Sequence, residues 1–202
     1  MPLETLIALV AFLFPLAYSP GPGNGFFAAL GAAGGLRAAW PALAGYHVAT
    51  FLVTALIGLG VGLALLADPV IATALRIAGA AYVGWLGIAF LAAALRPGKA
   101  GGVGRAARGR FVDGAALLML NPKAYMIIGL LFTQFLRPQD DRLGQVLALS
   151  AVFTLNNLVA FVVWTLAGVA LARLLGSAGG GRALNGVFAA SLIGVSAWML
   201  VA

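Results

Sequence analysis

Two short runs of proline, glycine and polar residues interrupt the apolar stretches of this sequence. The first run is Ser-Pro-Gly-Pro-Gly-Asn at residues 19–24, and the second is Asn-Pro-Lys at residues 121–123. Proline lacks the N–H that a helix needs and glycine adds backbone freedom, so both runs predict a broken helix. Backbone groups freed at a break, together with a lysine, are suited to binding a charged solute.

The positions of the two runs indicate that both breaks lie deep in a membrane. Pro20 is 17 residues from both Leu3 and Arg37, about 25 Å of helix each way. Asn121 follows Val112 by nine residues, about 13 Å of helix. Unpaired backbone groups are costly in hydrocarbon, so such breaks are expected to be buried in protein or to line a watery cavity.

Lys123 is the charged group at the second break, and a lysine at this depth is expensive unless it faces a cavity or a partner. It could pair with a carboxylate, and the helix N-terminus exposed at the break could add to the positive potential. A structural alternative remains open: Lys123 snorkels or pairs with carbonyls freed by Pro122, and the first run is a proline kink used for packing.

Polar residues also interrupt the second apolar stretch of each half of the chain. His47 is the single histidine, and Asn156 and Asn157 lie in the stretch from Leu147 to Leu171. Each could equally be a satisfied interhelical hydrogen-bond donor. The candidate substrate-binding residues are Ser19, Pro20, Gly21, Pro22, Asn24, His47, Asn121, Pro122, Lys123, Asn156 and Asn157.

The remaining chemistry-bearing residues do not favour an enzyme. The sequence contains no nucleophile elbow, no phosphate-binding loop, no zinc-protease motif and no pair of acids within an apolar stretch. It has no cysteine, which removes disulfides and thiolate ligands. We expect no catalytic residue, no metal site and no cofactor.

Composition identifies the kind of scaffold that must hold these residues. Of the 202 residues, 63% are hydrophobic and 8% are charged, and the mean hydropathy is +1.07. A soluble domain is about half apolar and a quarter charged, so we predict an all-α integral membrane protein. Six helices of roughly 20 residues fit the length. Membrane lipid is an expected partner, nucleic acid is not, and a homo-oligomer is left open.

Charges and Gly/Pro clusters divide the chain into six predicted helices within a single domain, residues 1–202. Because Glu4 and no basic residue precedes the first apolar run, we expect a retained first helix rather than a signal peptide. The predicted spans are Leu3–Leu36 (interrupted), Ala38–Ala67, Val70–Leu95, Val112–Leu136, Leu143–Leu174 and Ala183–Ala202. The basic loop at about 96–111 separates half one, about 1–95, from half two, about 112–202.

Three helices on each side of this loop predict two inverted repeats, each beginning with a broken helix. Pro20 and Pro122 are 102 residues apart, and the pair Gly79/Gly87 recurs 107 residues later as Gly186/Gly194. Glycine and proline are common in membrane helices, so this internal similarity is weak support.

Charge distribution predicts the orientation. Eight basic residues fall on one side, namely Arg37, Arg96, Lys99, Arg105, Arg108, Arg110, Arg173 and Arg182, and three fall on the other, namely Arg76, Arg137 and Arg142. By the positive-inside rule, loop 96–111 is cytoplasmic and both termini are outside.

The motifs taken together resemble the LysE/RhtB family of amino-acid exporters over nearly the whole chain. The resemblance rests on SPGPGN at 19–24 followed by GLR at 35–37, on GAAYVGWLG at 79–87, and on NPKA at 121–124 leading to TQF at 133–135. It implies a six-helix exporter in the bacterial inner membrane, driven by the proton gradient. It also implies that the transport path is lined by Pro20, Gly21, Pro22, Asn24, Asn121, Pro122 and Lys123.

Two departures from the family pattern bear on the substrate. Gly23 stands between Pro-Gly-Pro and Asn24, and His47 stands near the position where members suited to cationic amino acids carry an acidic residue. We therefore expect a small neutral amino acid, of the cysteine, O-acetylserine or threonine type. The alternative function is a membrane scaffold or assembly subunit with no transported substrate.

Overall fold

The computed structural model describes residues 1–60, 69–95, 108–137, 141–174 and 178–201, and every regular element in them is an α-helix. This confirms the all-α prediction for the described part of the chain. The helices are α1 (Leu3–Tyr18), α2 (Pro22–Gly58), α3 (Pro69–Leu95), α4 (Phe111–Met119), α5 (Pro122–Phe135), α6 (Arg142–Leu174) and α7 (Ala178–Val201).

Both predicted helix breaks are present. The first separates α1 from α2 at residues 19–21, and the second separates α4 from α5, whose axes differ by 64°. Pro22 and Pro122 each stand at the start of the following helix, where a missing N–H costs nothing and the fixed φ suits the first turn. The prolines therefore begin new helices and do not kink continuous ones.

A third discontinuity turns α2 back on itself at Gly34 and Gly35. Gly35 has φ +70°, a left-handed conformation that suits glycine. Before this point, Gly23 contacts Phe161, and the turns of α2 that follow run parallel to α6. After this point, Gly58 contacts Val146, so the second part of α2 runs antiparallel to α6. Residues 22–33 thus complete the first broken helix, and residues 36–58 form the next one.

Helix boundaries agree with the predictions to within a few residues, with two larger differences. The helix predicted to run to Ala67 ends at Gly58, because the chain turns at Leu59 and Gly60, where Gly60 has φ +95°. The last helix begins at Ala178, five residues before the predicted Ala183, because glycines in a first turn cost only about 1 kcal/mol each. Several predicted features lie outside the described residues: the end of the second helix at 61–67, most of the basic loop (96–107), and the turn at 138–140.

By length and apolar composition, α2, most of α3 (Pro69–Ala92) and α6 can cross a membrane, and the bent pair α4 and α5 counts as a fourth span if taken as one. Large apolar side chains cover the outside of these helices, as lipid requires; Leu155 is 61% exposed and Trp198 is 61% exposed. The chain is an integral membrane protein, and its arrangement as six spans in two inverted halves stays a prediction.

The two ends of the bundle are defined by their arginines. At one end, the backbone N–H of Gly109 donates to the carbonyl of Ala38, which brings Arg110 beside Arg37; we call this the Arg37 end. At the other, the Arg142 guanidinium donates to the carbonyl of Gly58 at 3.0 Å; we call this the Arg142 end. The structure therefore places Arg37 at the same end as the end of the basic loop, as the alternation of the predicted spans requires.

Helices at the Arg37 end meet backbone to backbone at glycines. Gly31 lies against the carbonyl oxygen of Thr165, and Gly168 lies against that of Ala28, which joins α2 to α6. In the same reciprocal way, Gly45 and Gly114 join α2 to α4, against the carbonyls of Phe111 and Ala42 respectively. Small residues allow this close approach between membrane helices.

Large side chains fill the Arg142 end instead. Its buried cluster comprises Leu9, Leu13, Ile57, Ile127, Ile128, Leu131, Phe132, Val146, Leu149 and Phe153, drawn from α1, α2, α5 and α6. Contacts there are made by side chains whose rotamers can change.

Helices α3 and α7 pair with each other beside the other five described helices. Ser196 Oγ donates to the carbonyl of Ala80 at 2.7 Å, and Gly87 packs closely on Ile193. At Gly186 and Gly194, which the repeat spacing equates with Gly79 and Gly87, no described residue lies within 4 Å of an added Cβ. The glycine spacing therefore does not correspond to equivalent packing and adds nothing to the case for a repeat.

Candidate functional site

Lys123 reaches across from the second break to the first. Its Nζ lies 2.9 Å from the carbonyl oxygen of Ser19, 2.9 Å from Ser19 Oγ and 3.5 Å from the carbonyl oxygen of Pro20. These carbonyls follow the end of α1 and have no helical partner, so the lysine satisfies groups that the first break leaves open. The structural alternative was right that Lys123 pairs with freed carbonyls, but they belong to the first break and not to Pro122.

The charge of Lys123 is balanced by dipoles alone. In the described part of the chain the single ion pair joins Arg110 and Asp113, at 2.9 Å. Lys123 is half-buried in the first turn of α5 and bonds only to uncharged oxygens. An ammonium in this setting gains from any carboxylate that can reach it.

Gly21 and Asn24 complete the first break. Gly21 lies under the lysine, since a Cβ built there would be 3.2 Å from Nζ. Asn24 is buried, and its Nδ2 donates to the carbonyl of Ala17 at 2.9 Å, which ties the start of α2 back to the end of α1. Pro22 is also buried, whereas Pro20 is exposed.

Asn121 organises the second break. Its Oδ1 accepts a hydrogen bond from the Lys123 backbone N–H at 3.2 Å, as an N-cap residue does, and its Nδ2 donates to Tyr46 Oη at 3.4 Å. The side chain of Asn157 lies beside the same tyrosine hydroxyl. Tyr46 therefore links the second break to both α2 and α6.

Aromatic rings join the two breaks. The ring of Phe161 lies 4.8 Å from Phe27, 4.7 Å from Tyr46 and 5.6 Å from His47, measured between centroids. It also packs on the backbone of Gly23, at the first break. All four ring residues are buried.

Helix α6 holds the first break from two sides. Trp164 Nε1 donates to the carbonyl of Tyr18 at 3.2 Å, at the end of α1, while Phe161 contacts Gly23 at the start of α2. Each break is thus contacted by the second long helix of the other half: the first by α6, the second by Tyr46 of α2.

His47 lies at the edge of this site. Its Nδ1 is 2.7 Å from the carbonyl oxygen of Leu43, so Nδ1 carries a proton and donates it to that carbonyl. Nε2 is buried without a hydrogen-bond partner among the described residues. With Thr154 it borders a mainly apolar groove of about 490 Å³ between α2 and α6.

The structure does not bring Asn156 to the breaks. The side chains of Asn156 and Asn157 leave α6 in directions about 100° apart. The buried amide nitrogen of Asn156 has no hydrogen-bond partner in the described part of the chain. The remaining predicted residues gather around Lys123: Ser19, Pro20, Gly21, Pro22, Asn24, Asn121, Pro122 and, through Tyr46, Asn157.

The beginning of the second broken helix is fixed outside the site. At the start of α4 the Asp113 carboxylate accepts a hydrogen bond from the Arg110 backbone N–H at 2.8 Å, and its hydrogen bond with the Arg110 guanidinium raises the pKa of that guanidinium. Tyr82 Oη of α3 donates to the Asp113 carbonyl at 3.2 Å.

The chemistry of the arrangement is that of an anion site. The N-termini of α2 and α5 end beside the ammonium of Lys123, and the positive ends of helix dipoles favour a negative group. Groups of metal-ligating side chains are absent from the residues the structure describes. The arrangement thus places positive electrostatic potential at the point where the two breaks meet.

Four contributors to the site were not predicted from the sequence: Tyr46, Phe27, Phe161 and Trp164. Tyr46 directly precedes His47, a predicted site residue, and this position could have identified it. Phe161 is one of 12 phenylalanines, and its position one turn after Asn157 was the remaining hint.

Comparisons with known proteins complete the description. The family described as "LysE type translocator" matches residues 14–202. The chain is 31% identical to the cysteine/O-acetylserine efflux protein of Escherichia coli O139:H28, over 93% of each chain. It is also 31% identical to the homoserine/homoserine lactone efflux protein of Salmonella typhi, over 62% of this chain and 61% of that protein. Solved structures give no match.

Proposed function

This chain belongs to the LysE family of translocators, and from that premise we propose that it exports amino acids or related metabolites from the bacterial cytoplasm. Relatives named for cysteine, O-acetylserine and homoserine efflux support this substrate class. All three compounds have a short polar side chain on an amino-acid core.

The observation that carries the proposal is the position of Lys123. Its ammonium binds Ser19 and Pro20 oxygens across the gap between two broken helices, with no acidic partner in the described part of the chain. A substrate carboxylate takes the place of these uncharged oxygens, because it adds the attraction between opposite charges to a hydrogen bond with the ammonium. Releasing Ser19 and Pro20 frees the end of α1 from α5, so binding is coupled to movement of one broken helix relative to the other.

We assign the remaining site residues by their contacts. Gly21, Pro22 and Pro122 present backbone at the two helix starts, while Asn24 and Asn121 hold each break in shape. Asn157 lies at the Tyr46 hydroxyl, where it meets the substrate amino group or side chain. His47 is a selectivity and proton-coupling residue, because its imidazole can change charge near neutral pH.

The proposed architecture is six spans in two inverted halves within one domain, residues 1–202. The first span combines α1 with residues 22–33 of α2, and the fourth combines α4 with α5. Alternating access then moves one half against the other around the central breaks. Both termini lie outside and loop 96–111 lies in the cytoplasm; a cysteine at Gly102, in this cysteine-free chain, should react with an impermeant thiol reagent only after lysis. Labelling in intact cells would reverse this orientation.

Proton-driven export of a small neutral amino acid is the specific form of the proposal. At the two breaks, Lys123 can pair with the carboxylate of a substrate. Among the described residues, no Asp or Glu there can pair with a cationic side chain of a substrate. A basic substrate therefore leaves one charge unpaired, which is costly away from water.

Counterflow in proteoliposomes tests the proposal. Proteoliposomes that contain the purified protein and are preloaded with unlabelled serine should accumulate labelled serine. The Lys123→Gln substitution should reduce the rate of this exchange by about 30-fold or more, which is the usual cost of removing one partner of a buried charge pair. Lys123→Arg should retain part of the activity. Gly129→Ala, on the same helix with nothing within 4 Å of its new Cβ, is the matched control.

The outcomes separate the alternatives. If the wild type exchanges none of the amino acids, the exporter proposal is rejected and the alternative, a membrane scaffold or assembly subunit, is favoured. If Lys123→Gln exchanges them at the wild-type rate, the carboxylate is bound elsewhere and Lys123 is a structural bridge.

A further inference from the structure

Gly23 leaves a notch at the first break, and the ring of Phe161 fills it. A Cβ built on Gly23 would lie 2.6 Å from Phe161 Cζ and 3.1 Å from Cε2, closer than such atoms approach. Glycine at this position is therefore matched to an aromatic ring on α6, and the departure from the family pattern at Gly23 has a physical partner.

The ring has no room to withdraw on its other sides. Phe27 and Tyr46 lie within 5 Å of its centroid and His47 at 5.6 Å, and Phe161 is 3% exposed. The hydroxyl of Thr165, one turn further along α6, donates to the Phe161 carbonyl at 2.7 Å. The ring is thus fixed between the first break and α2.

The ring also lies a short distance from the proposed carboxylate site. Gly21 contacts the Lys123 ammonium and Gly23 contacts the Phe161 ring, and these glycines are two residues apart. Two residues of chain span at most about 7 Å. The ammonium and the ring therefore lie against the same short segment of the first break, Gly21 to Gly23, and we place the substrate side chain on the Phe161 side of Lys123.

We propose that Phe161, seated in the notch of Gly23, sets the upper size limit of the transported side chain. The inference rests on the proposed function, because it takes Lys123 as the carboxylate site. It specifies the substrate class as neutral amino acids with side chains up to about the size of threonine, the ring standing where a leucine or phenylalanine side chain would extend.

Substrate profiles of Phe161 variants test this. Counterflow of labelled alanine, serine, threonine, leucine and phenylalanine is measured for the wild type, Phe161→Leu and Phe161→Ala. The leucine-to-alanine rate ratio should rise about tenfold in Phe161→Ala and by a smaller factor in Phe161→Leu, since each methylene of pocket space is worth about tenfold or more in selectivity.

Gly23→Ala provides the opposite perturbation and does not enlarge the core. The new methyl group pushes the ring toward the substrate, because Phe27, Tyr46 and His47 occupy the other sides. The threonine-to-alanine ratio should fall about tenfold. Gly25→Ala is the matched control: it is two residues along the same helix, and its Cβ meets only Leu192 Cδ2, at an ordinary 3.7 Å.

The readout is a ratio between substrates, so loss of total activity does not mimic it. Ratios that move in opposite directions in Phe161→Ala and Gly23→Ala support the inference. If the variants that exchange alanine keep the wild-type ratios, the size limit lies elsewhere, although the exporter function stands. If Phe161→Ala and Phe161→Leu do not fold, an unchanged threonine-to-alanine ratio in Gly23→Ala is sufficient to overturn the proposed role of Phe161. A wild type that exchanges no amino acid is instead a failure of the proposed function.

Discussion

The Arg37 end and the Arg142 end of the bundle are closed by different kinds of contact. At the Arg37 end, Gly31, Gly45, Gly114 and Gly168 bring helices together backbone to backbone. At the Arg142 end, leucine, isoleucine and phenylalanine side chains from four helices fill the space between the helices.

This difference teaches which end can adjust. A backbone contact has no rotamers, so it is either made or broken, whereas a side-chain contact can be repacked by small changes in χ angles. In a membrane, lipid tails are as apolar as leucine, so both ends depend on close packing and not on the hydrophobic effect. In the proposed alternating-access cycle, we therefore expect the Arg37 end to open by separating whole helices and the Arg142 end by rearranging side chains.

The largest effect is expected for Gly114→Ala. Its Cβ would overlap the carbonyl of Ala42 and approach the backbone nitrogen of Tyr46 at 2.8 Å, and neither atom can move without the helix. We expect a loss of more than about 3 kcal/mol, the upper part of the overpacking range, and little folded protein by size-exclusion chromatography. Gly168→Ala should behave alike, and Gly129→Ala should match the wild type. A stable, monodisperse Gly114→Ala protein would refute the distinction between the two ends.

A moderate effect is expected for Leu131→Ala at the Arg142 end. Leu131 is fully buried in the side-chain cluster. Since helix separation in lipid carries little transfer free energy, the cost is mainly that of the cavity, about 2 kcal/mol. Thermal unfolding in detergent, compared with the exposed control Leu130→Ala, measures it. A loss as large as that of Gly114→Ala would show that the Arg142 end is equally rigid.

The smallest effect is expected for Gly58→Ala, which introduces a methyl group at the Arg142 end. The atoms it would meet are the ring tip of Phe132 and a methyl group of Val146, both of which can shift. Overpacking is offset by the better helix propensity of alanine, so we expect a change of less than about 1 kcal/mol. The same unfolding assay checks this, and the contrast with Gly114→Ala is the sharpest form of the comparison. Equal losses in the two variants would remove it.

The sequence predicted what local rules control. Pro22 and Pro122 begin helices because proline chemistry acts within one turn, and both breaks were located for that reason. The grouping of Arg37 with the end of the basic loop followed from the alternation of the predicted spans across the membrane. The glycine contacts were harder to predict, because a glycine reveals its role only when the helix it faces is known.

The partners within the site were beyond the sequence for the same reason. Lys123 was identified by its cost in hydrocarbon, but its pairing with Ser19 joins residues 104 positions apart. Phe161 is chemically ordinary and is distinguished only by its seat on Gly23. The equivalence suggested by Gly79/Gly87 and Gly186/Gly194 has no support from their packing, since spacing alone does not determine which face of a helix meets another.

The hydrogen bond from Trp164 to the Tyr18 carbonyl gives the protein an optical reporter at its first break. The chain has four tryptophans, and the other three, Trp40, Trp85 and Trp198, are each more than half exposed on the outside of the bundle. Indole emission responds to the loss of a hydrogen bond at its N–H. With those three replaced by phenylalanine, the emission colour of Trp164 would report in real time, and without any attached dye, whether the end of α1 remains bound to α6.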